Sequence, residues 1–250
     1  MNPFLKTAIA FYLIISESFV SAQQAVEFTA NYKASTNGIG ATAIRKLEIL
    51  EGSLYRLSNS IEASLAGQII AKLIQTSEFH LGAEHLVPLS YNYLLTGIST
   101  EASSINYDWD AGLALSNENG ENWPIKLTSG VMDELSHQFA LRQQIKKGNT
   151  DTLEFQLIDG DEIELHRYRL VGKEVLNTAL GKLNSTQIEL AQVESNERTT
   201  KIWLADDWQY LLVKIEQLDQ SGLRIKLELE SATVSGIKVV PMLEPTGFAN

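Results

Sequence analysis

A strict alternation of apolar and polar residues is the feature of this sequence that most restricts its fold. Between residues 223 and 230 the apolar residues Leu223, Ile225, Leu227 and Leu229 alternate with Arg224, Lys226, Glu228 and Glu230. The same period of two appears in Leu153, Phe155 and Leu157, separated by Glu154 and Gln156. Because successive side chains of a β-strand point to opposite faces, this pattern predicts strands with one buried and one solvated face.

Short polar turn signals separate the alternating segments, as at Glu51–Ser53, Asp110–Gly112 and Asp159–Asp161. Roughly a dozen strands at such short spacing are typical of an antiparallel meander that is curved or closed. We therefore predict an all-β, mainly antiparallel fold, a curved meander or half-barrel. No Pro-rich or Gly-rich linker interrupts residues 23–234, so we expect them to form a single domain.

One stretch, residues 129–148, departs from the strand pattern. Its apolar residues lie on one stripe at helical spacing: Val131, Leu135, Phe139, Ala140 and Ile145. Ser129 or the glycine after it is placed to cap the start, and Gly148 follows the last turn. Asp133 and Glu134 fall in the first turn, where the helix dipole favours acids. We predict one amphipathic helix that lies in the concavity of the sheet.

A second departure lies at residues 64–75, which carry more apolar side chains than a surface connection needs. The apolar residues repeat at intervals of four: Leu65, Ile69 and Leu73, beside Ile70 and Ile74. The pattern predicts a short amphipathic helix or an apolar flap. The segment either completes the core or closes over a cavity for a lipid-like ligand. In the second interpretation these five residues and Phe139 contact the ligand.

Asp133 and His137 lie four residues apart on the predicted helix, a spacing at which a carboxylate can orient an imidazole for acid–base chemistry. A nucleophile would still be needed, and the chain has no cysteine and no Gly-x-Ser-x-Gly motif. We therefore interpret this row as a solvated helix face and predict no catalytic residues. The four histidines form no metal-binding spacing, so no metal and no cofactor is predicted.

Two tryptophans indicate an alternative function. Trp109 lies in the sequence YDWDAG and Trp208 in ADDWQY, so each has acidic neighbours. Exposed tryptophans beside carboxylates are typical of proteins that bind or cleave glycans. The same residues also suit a structural role, in which the indoles pack over turns and cover the edge of the sheet. We keep both interpretations.

The composition and the first residues indicate an exported protein. Residues 1–22 resemble a signal peptide, with Lys6, an apolar core over Thr7–Ile15 and small residues at Val20 and Ala22, which predicts cleavage before Gln23. The apolar core is shorter than the roughly 20 residues of a membrane-spanning helix, so no stable membrane insertion is expected. Without cysteine there is neither a disulfide nor a lipid-modified N-terminus. We predict a periplasmic or secreted protein.

The net charge of the chain restricts the classes of partner that we expect. A formal net charge of −11 argues against nucleic acid and against an anionic membrane surface as partners.

The last residues of the chain differ from the rest. Residues 235–250 contain Pro241, Pro245 and Gly247, which predicts a loosely ordered C-terminal tail.

Several motifs resemble one family of exported bacterial proteins. The segments RYRLVGKEVLNTALGKLNSTQIEL, from Arg167, and RTTKIWLADDWQYLLVKIEQ, from Arg198, are similar to those of the DUF3108 family, and the region around Trp203 is the most specific part. The chain departs from the family at Leu212, where proline is usual. The resemblance implies a β-rich fold similar to periplasmic lipoprotein carriers and half-barrel proteins. It implies no reaction, because the family is functionally undefined.

These observations favour a non-enzymatic protein that binds or carries an amphipathic, lipid-like molecule of the cell envelope in the concavity of the sheet. The alternative is a glycan-binding or glycan-active protein that uses Trp109, Trp208 and nearby acids. A third interpretation is a structural partner of another envelope protein, with no small ligand.

Overall fold

The structure is a computed structural model that describes residues 25–36, 39–82, 85–149, 152–191, 199–218 and 224–241. Within these ranges it contains sixteen strands, more than the roughly dozen expected. They are β1 (Phe28–Thr36), β2 (Ile39–Glu51), β3 (Leu54–Leu65), β4 (Gln68–Leu81), β5 (Leu86–Gly97), β6 (Glu101–Asp108), β7 (Leu113–Glu118), β8 (Glu121–Lys126), β9 (Val131–Met132), β10 (Leu153–Asp159), β11 (Glu162–Thr178), β12 (Gly181–Ala191), β13 (Thr199–Ala205), β14 (Leu211–Leu218), β15 (Arg224–Val234) and β16 (Ile237–Lys238). The helix α1 is Ser136–Lys146, and a 3-10 helix covers Asp206–Trp208.

All these strands belong to one sheet, built as two arms that start from β1. On one side β2 to β8 follow in chain order, and on the other β15 to β9 follow in reverse order, while β16 pairs with β15 off this path. Every pairing is antiparallel except the short one between β9 and β10. Short hairpin connections allow this arrangement because antiparallel neighbours need only a tight turn. The prediction of a mainly antiparallel, all-β meander is confirmed.

The sheet is open, because its two edges, β8 and β9, do not pair. Only residues 127–130 separate these edges along the chain, so at that point they lie within about 18 Å of each other. The Thr128 hydroxyl donates a hydrogen bond of 3.0 Å to the side-chain oxygen of Gln156 on β10. The sheet therefore curves until its two ends nearly meet, which is the predicted half-barrel.

The helix α1 lies inside this curve and contacts both arms, β4 and β5 on one side and β10 on the other. Phe139 is 2% exposed, and its ring lies 5.1 Å from that of Phe79 on β4. The helix was predicted, but its start was placed too early. Val131 and Met132 form β9, because β10 offers them strand partners. Asp133 and Glu134 therefore precede α1, and neither Ser129 nor Gly130 caps it.

Residues 64–75 form a β-hairpin, so the helical alternative for this segment is wrong. They comprise the end of β3, a turn at Ala66 and Gly67, and the first half of β4. A short apolar run has no reliable period, and here the pairing with the neighbouring strands β3 and β5 decides its conformation. Leu65 and Ile69 are 58% and 61% exposed at the hairpin tip.

The two ends of the chain differ in what the structure describes. The predicted signal peptide, residues 1–22, lies outside the described residues, and so do residues 242–250. Residues 235–241, assigned to the loosely ordered tail, contain a turn, the strand β16 and the buried side chain of Val239. In the described part of the chain, no helix has both the length and the apolar character needed to cross a membrane.

Candidate ligand-binding cavity

A cavity of about 810 Å³ lies between the two arms of the sheet, and we call it the main cavity. Strands β4 to β7 supply one wall, and β10 to β12 with their turns supply the other. Its described lining contains six carboxylates and no lysine or arginine; the acids are Glu101, Glu118, Glu134, Asp159, Glu162 and Glu164. Its volume falls within the range of roughly 300–1,000 Å³ that is usual for small-molecule sites.

A chain of hydrogen-bonded side chains leads to this cavity from Arg45 on β2. One branch runs to Asn59 on β3 (3.3 Å), to Gln75 on β4 (3.1 Å) and to the Tyr91 hydroxyl on β5 (3.1 Å). The strand register allows this, because it places Arg45 opposite Asn59 and Asn59 opposite Gln75. The residues of this branch therefore share the inner face of four consecutive strands.

The second branch joins Arg45 to the segment before α1. A guanidinium N–H of Arg45 donates to Gln138 Oε1 at 2.9 Å, and Gln138 Nε2 donates to Glu134 Oε1 at 3.0 Å. Both branches end at the main cavity, one at the Tyr91 hydroxyl and the other at the Glu134 carboxyl. The cavity thus has a hydroxyl and a carboxyl oriented by one partly buried polar network.

The directions of these hydrogen bonds follow from the chemistry of Arg45. A guanidinium only donates, so Asn59 accepts with its oxygen and must donate with its amide nitrogen. Gln75 then accepts from Asn59 and donates to the Tyr91 oxygen. The proton of the Tyr91 hydroxyl is left to point elsewhere, and no acceptor for it occurs among the described hydrogen bonds. Tyr91 is 6% exposed, so this donor is largely shielded from bulk water.

Glu134 is an exposed residue whose side chain lines the half-open cavity. The surrounding protein partly desolvates its carboxyl and raises the pKa of Glu134 to about 7, while the charge of His166 and the hydrogen bond from Gln138 act in the opposite direction. Near neutral pH the carboxyl therefore exists in both protonation states, and a nearby cation favours the charged form.

Asp133 and His137 are not among the residues that line the main cavity, and their contacts stabilise the fold. They are 0% and 1% exposed, so the prediction of a solvated helix face is wrong. The Asp133 carboxylate accepts hydrogen bonds from the N–H groups of Leu135 and Ser136 and from the Ser77 hydroxyl. In return Ser136 Oγ accepts from the Asp133 N–H at 3.0 Å, the reciprocal pattern of a capping box.

His137 does not contact the Asp133 carboxylate. Its Nδ1 lies 3.2 Å from the Asp133 carbonyl oxygen, which only accepts, so Nδ1 carries the proton. Nε2 then accepts from the Tyr168 hydroxyl at 2.7 Å. Burial lowers the pKa of His137 to about 3, and the imidazole is neutral. No carboxylate–imidazole dyad forms, and the described residues contain no cluster suited to a metal ion.

The predicted ligand residues lie outside the main cavity. Trp109 lines a second, smaller cavity of about 520 Å³ beside the last turns of α1. Its indole N–H donates to the Pro88 carbonyl at 2.6 Å, and its ring stacks on Tyr107. The Trp208 indole N–H donates to the Val240 carbonyl. Both contacts fit a structural role for these tryptophans.

The apolar residues of the predicted flap are spread over the hairpin. Leu65 and Ile69 lie at its exposed tip, Ile74 is 40% exposed, and Ile70 and Leu73 are half-buried. Phe139 is in the core. That any of these residues contacts a ligand stays a prediction.

The polar network around Arg45 was not predicted from the sequence, although the sequence contains a signal for it. Ala43 and Leu47 are buried, and Arg45 lies between them in the same phase of β2. Leu57 and Asn59 on β3 repeat the pattern, as do Gln75 and Phe79 on β4. A polar residue in the buried phase of several successive strands marks an internal polar site.

An open sheet that curves around one helix and a polar cavity defines a β-barrel-like fold. The chain belongs to the DUF3108 family, described as protein of unknown function, whose profile matches residues 27–230. The fold is similar to that of a β-barrel-like protein of the domain of unknown function DUF1849 from Brucella abortus. That likeness has a TM-score of 0.58 and 9% identity and covers 84% of this chain and 98% of the other.

A second solved structure, of a candidate lipoprotein from Parabacteroides distasonis, matches with a TM-score of 0.33 and 12% identity, over 84% of this chain and 96% of that one. At these identities the comparisons concern the fold alone, and the lower TM-score carries no argument. No curated protein sequence matches this chain.

The residues that carry the family resemblance anchor the helix. After Trp203 the chain turns through the 3-10 helix, and Gln209 and Tyr210 adopt positive φ angles of 57° and 56°. The Gln209 carbonyl accepts a 2.5 Å hydrogen bond from Arg142 of α1. This turn therefore holds α1 in the concavity, which gives the Trp203 region a structural role.

Proposed function

We propose that this protein binds an amphipathic molecule of the cell envelope in the main cavity and has no catalytic role there. The observation that carries the proposal is the polar network whose two ends, the Tyr91 hydroxyl and the Glu134 carboxyl, face a cavity of ligand size. Groups that are held by hydrogen bonds before a ligand arrives lose little freedom on binding, so they favour affinity and orientation.

The lining of the main cavity supports an amphipathic ligand. Beside the acids and hydroxyls it includes the apolar side chains of Ile105, Leu157, Ile158, Ile163 and Leu190. Such a wall suits a molecule with one polar end and one apolar part, because few precisely placed polar groups among apolar ones give specificity. The predicted signal peptide would bring the protein to the compartment in which such molecules occur.

The glycan alternative receives less support from the contacts. Trp109 has one face against Tyr107, and the neighbouring Asp108 accepts a hydrogen bond from the Ala111 N–H within its turn. These groups are already engaged in local structure. We therefore do not extend the glycan hypothesis.

The experiment fills the main cavity and compares it with a matched change on the outer face. Ser103 on β6 lies opposite Tyr93 in the sheet and lines the cavity, whereas Ser104 points to the other face. The full chain and its Ser103→Trp and Ser104→Trp variants are purified from a bacterial envelope and measured by native mass spectrometry.

We expect a non-covalent adduct of discrete mass on the wild type and on Ser104→Trp, and its loss from folded Ser103→Trp. Circular dichroism establishes that the variants are folded. An adduct that persists unchanged in Ser103→Trp, or a wild type that carries no adduct under any extraction, contradicts the proposal.

A further inference from the structure

The charge of the main cavity restricts the chemistry of its ligand. Six carboxylates and one histidine, His166, line it, with no lysine or arginine among the described lining residues, so acidic groups dominate its charge. An anionic head group would be repelled there, since like charges across an interface are costly. Glu134 accepts a hydrogen bond from the neutral amide of Gln138, and the charges of His166 and Arg45 act on it without a described ion pair.

The Tyr91 hydroxyl gives independent information about the ligand. Its oxygen accepts from Gln75, and its proton has no acceptor in the described part of the protein. The side chain is more than nine-tenths buried and faces the cavity. A hydroxyl that has no protein acceptor for its proton and points into a cavity favours a ligand that supplies an acceptor there.

We propose that the ligand carries a protonated amine beside an oxygen acceptor, with the ammonium at Glu134 and the oxygen at the Tyr91 hydroxyl. This inference rests on the proposed function of the main cavity and names the head group that the cavity recognises. The ring of Tyr93 in the same wall offers a further favourable contact for an ammonium. Anionic lipids and fatty acids should therefore bind this site more weakly than amines.

The test uses three probes that share one chain and differ only in the head group: octylamine, octanol and octanoate. Titration calorimetry of the full-length mature protein is run at about pH 8.5, where the amine is protonated and Glu134 is ionised. We expect octylamine to bind about tenfold more tightly than octanol, because its ammonium pairs with Glu134, and octanoate to bind weakest, because the acids repel its carboxylate.

Three variants assign the effect to particular groups. In Glu134→Gln the affinity for octylamine should fall most of the way to that for octanol, since the five other acids of the lining remain, and the affinity for octanol should hardly change. Glu48→Gln, the same change on the exposed outer face of β2, should leave all three affinities unaltered. Tyr91→Phe should weaken octanol by about two- to tenfold, since it removes one hydrogen-bond donor.

The outcomes separate the two proposals. If octanoate or octanol binds as tightly as octylamine and Ser103→Trp abolishes that binding, the cavity binds a ligand but the inference of an amine is wrong. If Glu134→Gln and Glu48→Gln weaken octylamine equally, the attraction comes from overall charge and the inference is again wrong. If none of the probes binds and no adduct is found by mass spectrometry, both proposals fail.

Discussion

Replacing Asp133 with alanine should destabilise the protein by about 3–5 kcal/mol, because this side chain holds the start of α1 in a fully buried place. Oδ1 accepts from the Leu135 N–H at 2.9 Å and from the Ser136 N–H at 2.8 Å. Oδ2 accepts from the Ser77 hydroxyl on β4 at 2.9 Å. The residue therefore joins the helix to the sheet.

The magnitude follows from what each group loses. Each of the two buried N–H groups left unpaired costs about 1–3 kcal/mol, and removal of the carboxyl relieves its own desolvation, which keeps the total in the lower part of the summed range. The Ser77 hydroxyl can rotate, so we assign it the lower end of that range. Burial raises the pKa of Asp133, and the hydrogen bonds from Ser136, Ser77 and Leu135 oppose that shift.

The assay is urea unfolding followed by tryptophan fluorescence and circular dichroism. Asp133→Asn is the matched control, since its amide oxygen keeps the two N–H bonds and its amide nitrogen can donate to Ser77 Oγ. We expect asparagine to cost less than about 1.5 kcal/mol, with an unchanged m-value in both variants. A loss below about 1 kcal/mol for alanine, or equal losses for both variants, would refute this account of the cap.

Two further predictions concern α1 and the main cavity. Phe139→Ala should lower the free energy of unfolding by about 3–5 kcal/mol, because it removes a core ring packed on Phe79. The control Lys146→Ala, at the end of the helix, should lower it by less than about 0.5 kcal/mol. Similar losses for the two variants in urea unfolding would contradict the central position of Phe139. The folded-state pKa of Glu134, about 7, is raised above its ordinary 4.5, so the folded protein binds this proton more tightly and the contribution of Glu134 to stability falls as the pH rises through that window. Glu134→Gln removes this titration, so the stability of the variant relative to the wild type should increase between about pH 4.5 and pH 7. If urea unfolding gives a constant difference in stability across that range, the pKa of Glu134 is not raised.

The strands and the helix could be predicted from the sequence because each depends on a local period. The alternation at residues 224–230 reappears as β15, and the stripe through Phe139 and Ile145 reappears as α1. Boundaries were less accurate where a distant partner decides them. Val131 and Met132 join the sheet because β10 lies beside them, and residues 64–75 became strand because β3 and β5 pair with β4.

The candidate site depends on the tertiary structure for a different reason. Arg45, Asn59, Gln75 and Tyr91 come from four strands, and only the register of those strands brings their side chains into one network. Period-two alternation predicts which residues face inward, but it does not predict which of them meet, since a shift of pairing changes every partner. The branch through Gln138 to Glu134 further requires that α1 lie inside the curve of the sheet.

The sequence by itself determined the secondary structure class, the internal helix and the family, because these follow from patterns within short segments of the chain. Only the tertiary structure decided that the interior is polar at one end, that His137 is buried and neutral, and that an acidic cavity separates the two arms. Those properties arise where β4 to β7 approach β10 to β12, strands far apart in the chain. Their side chains acquire their environment, and hence their chemistry, only when the sheet curves around α1.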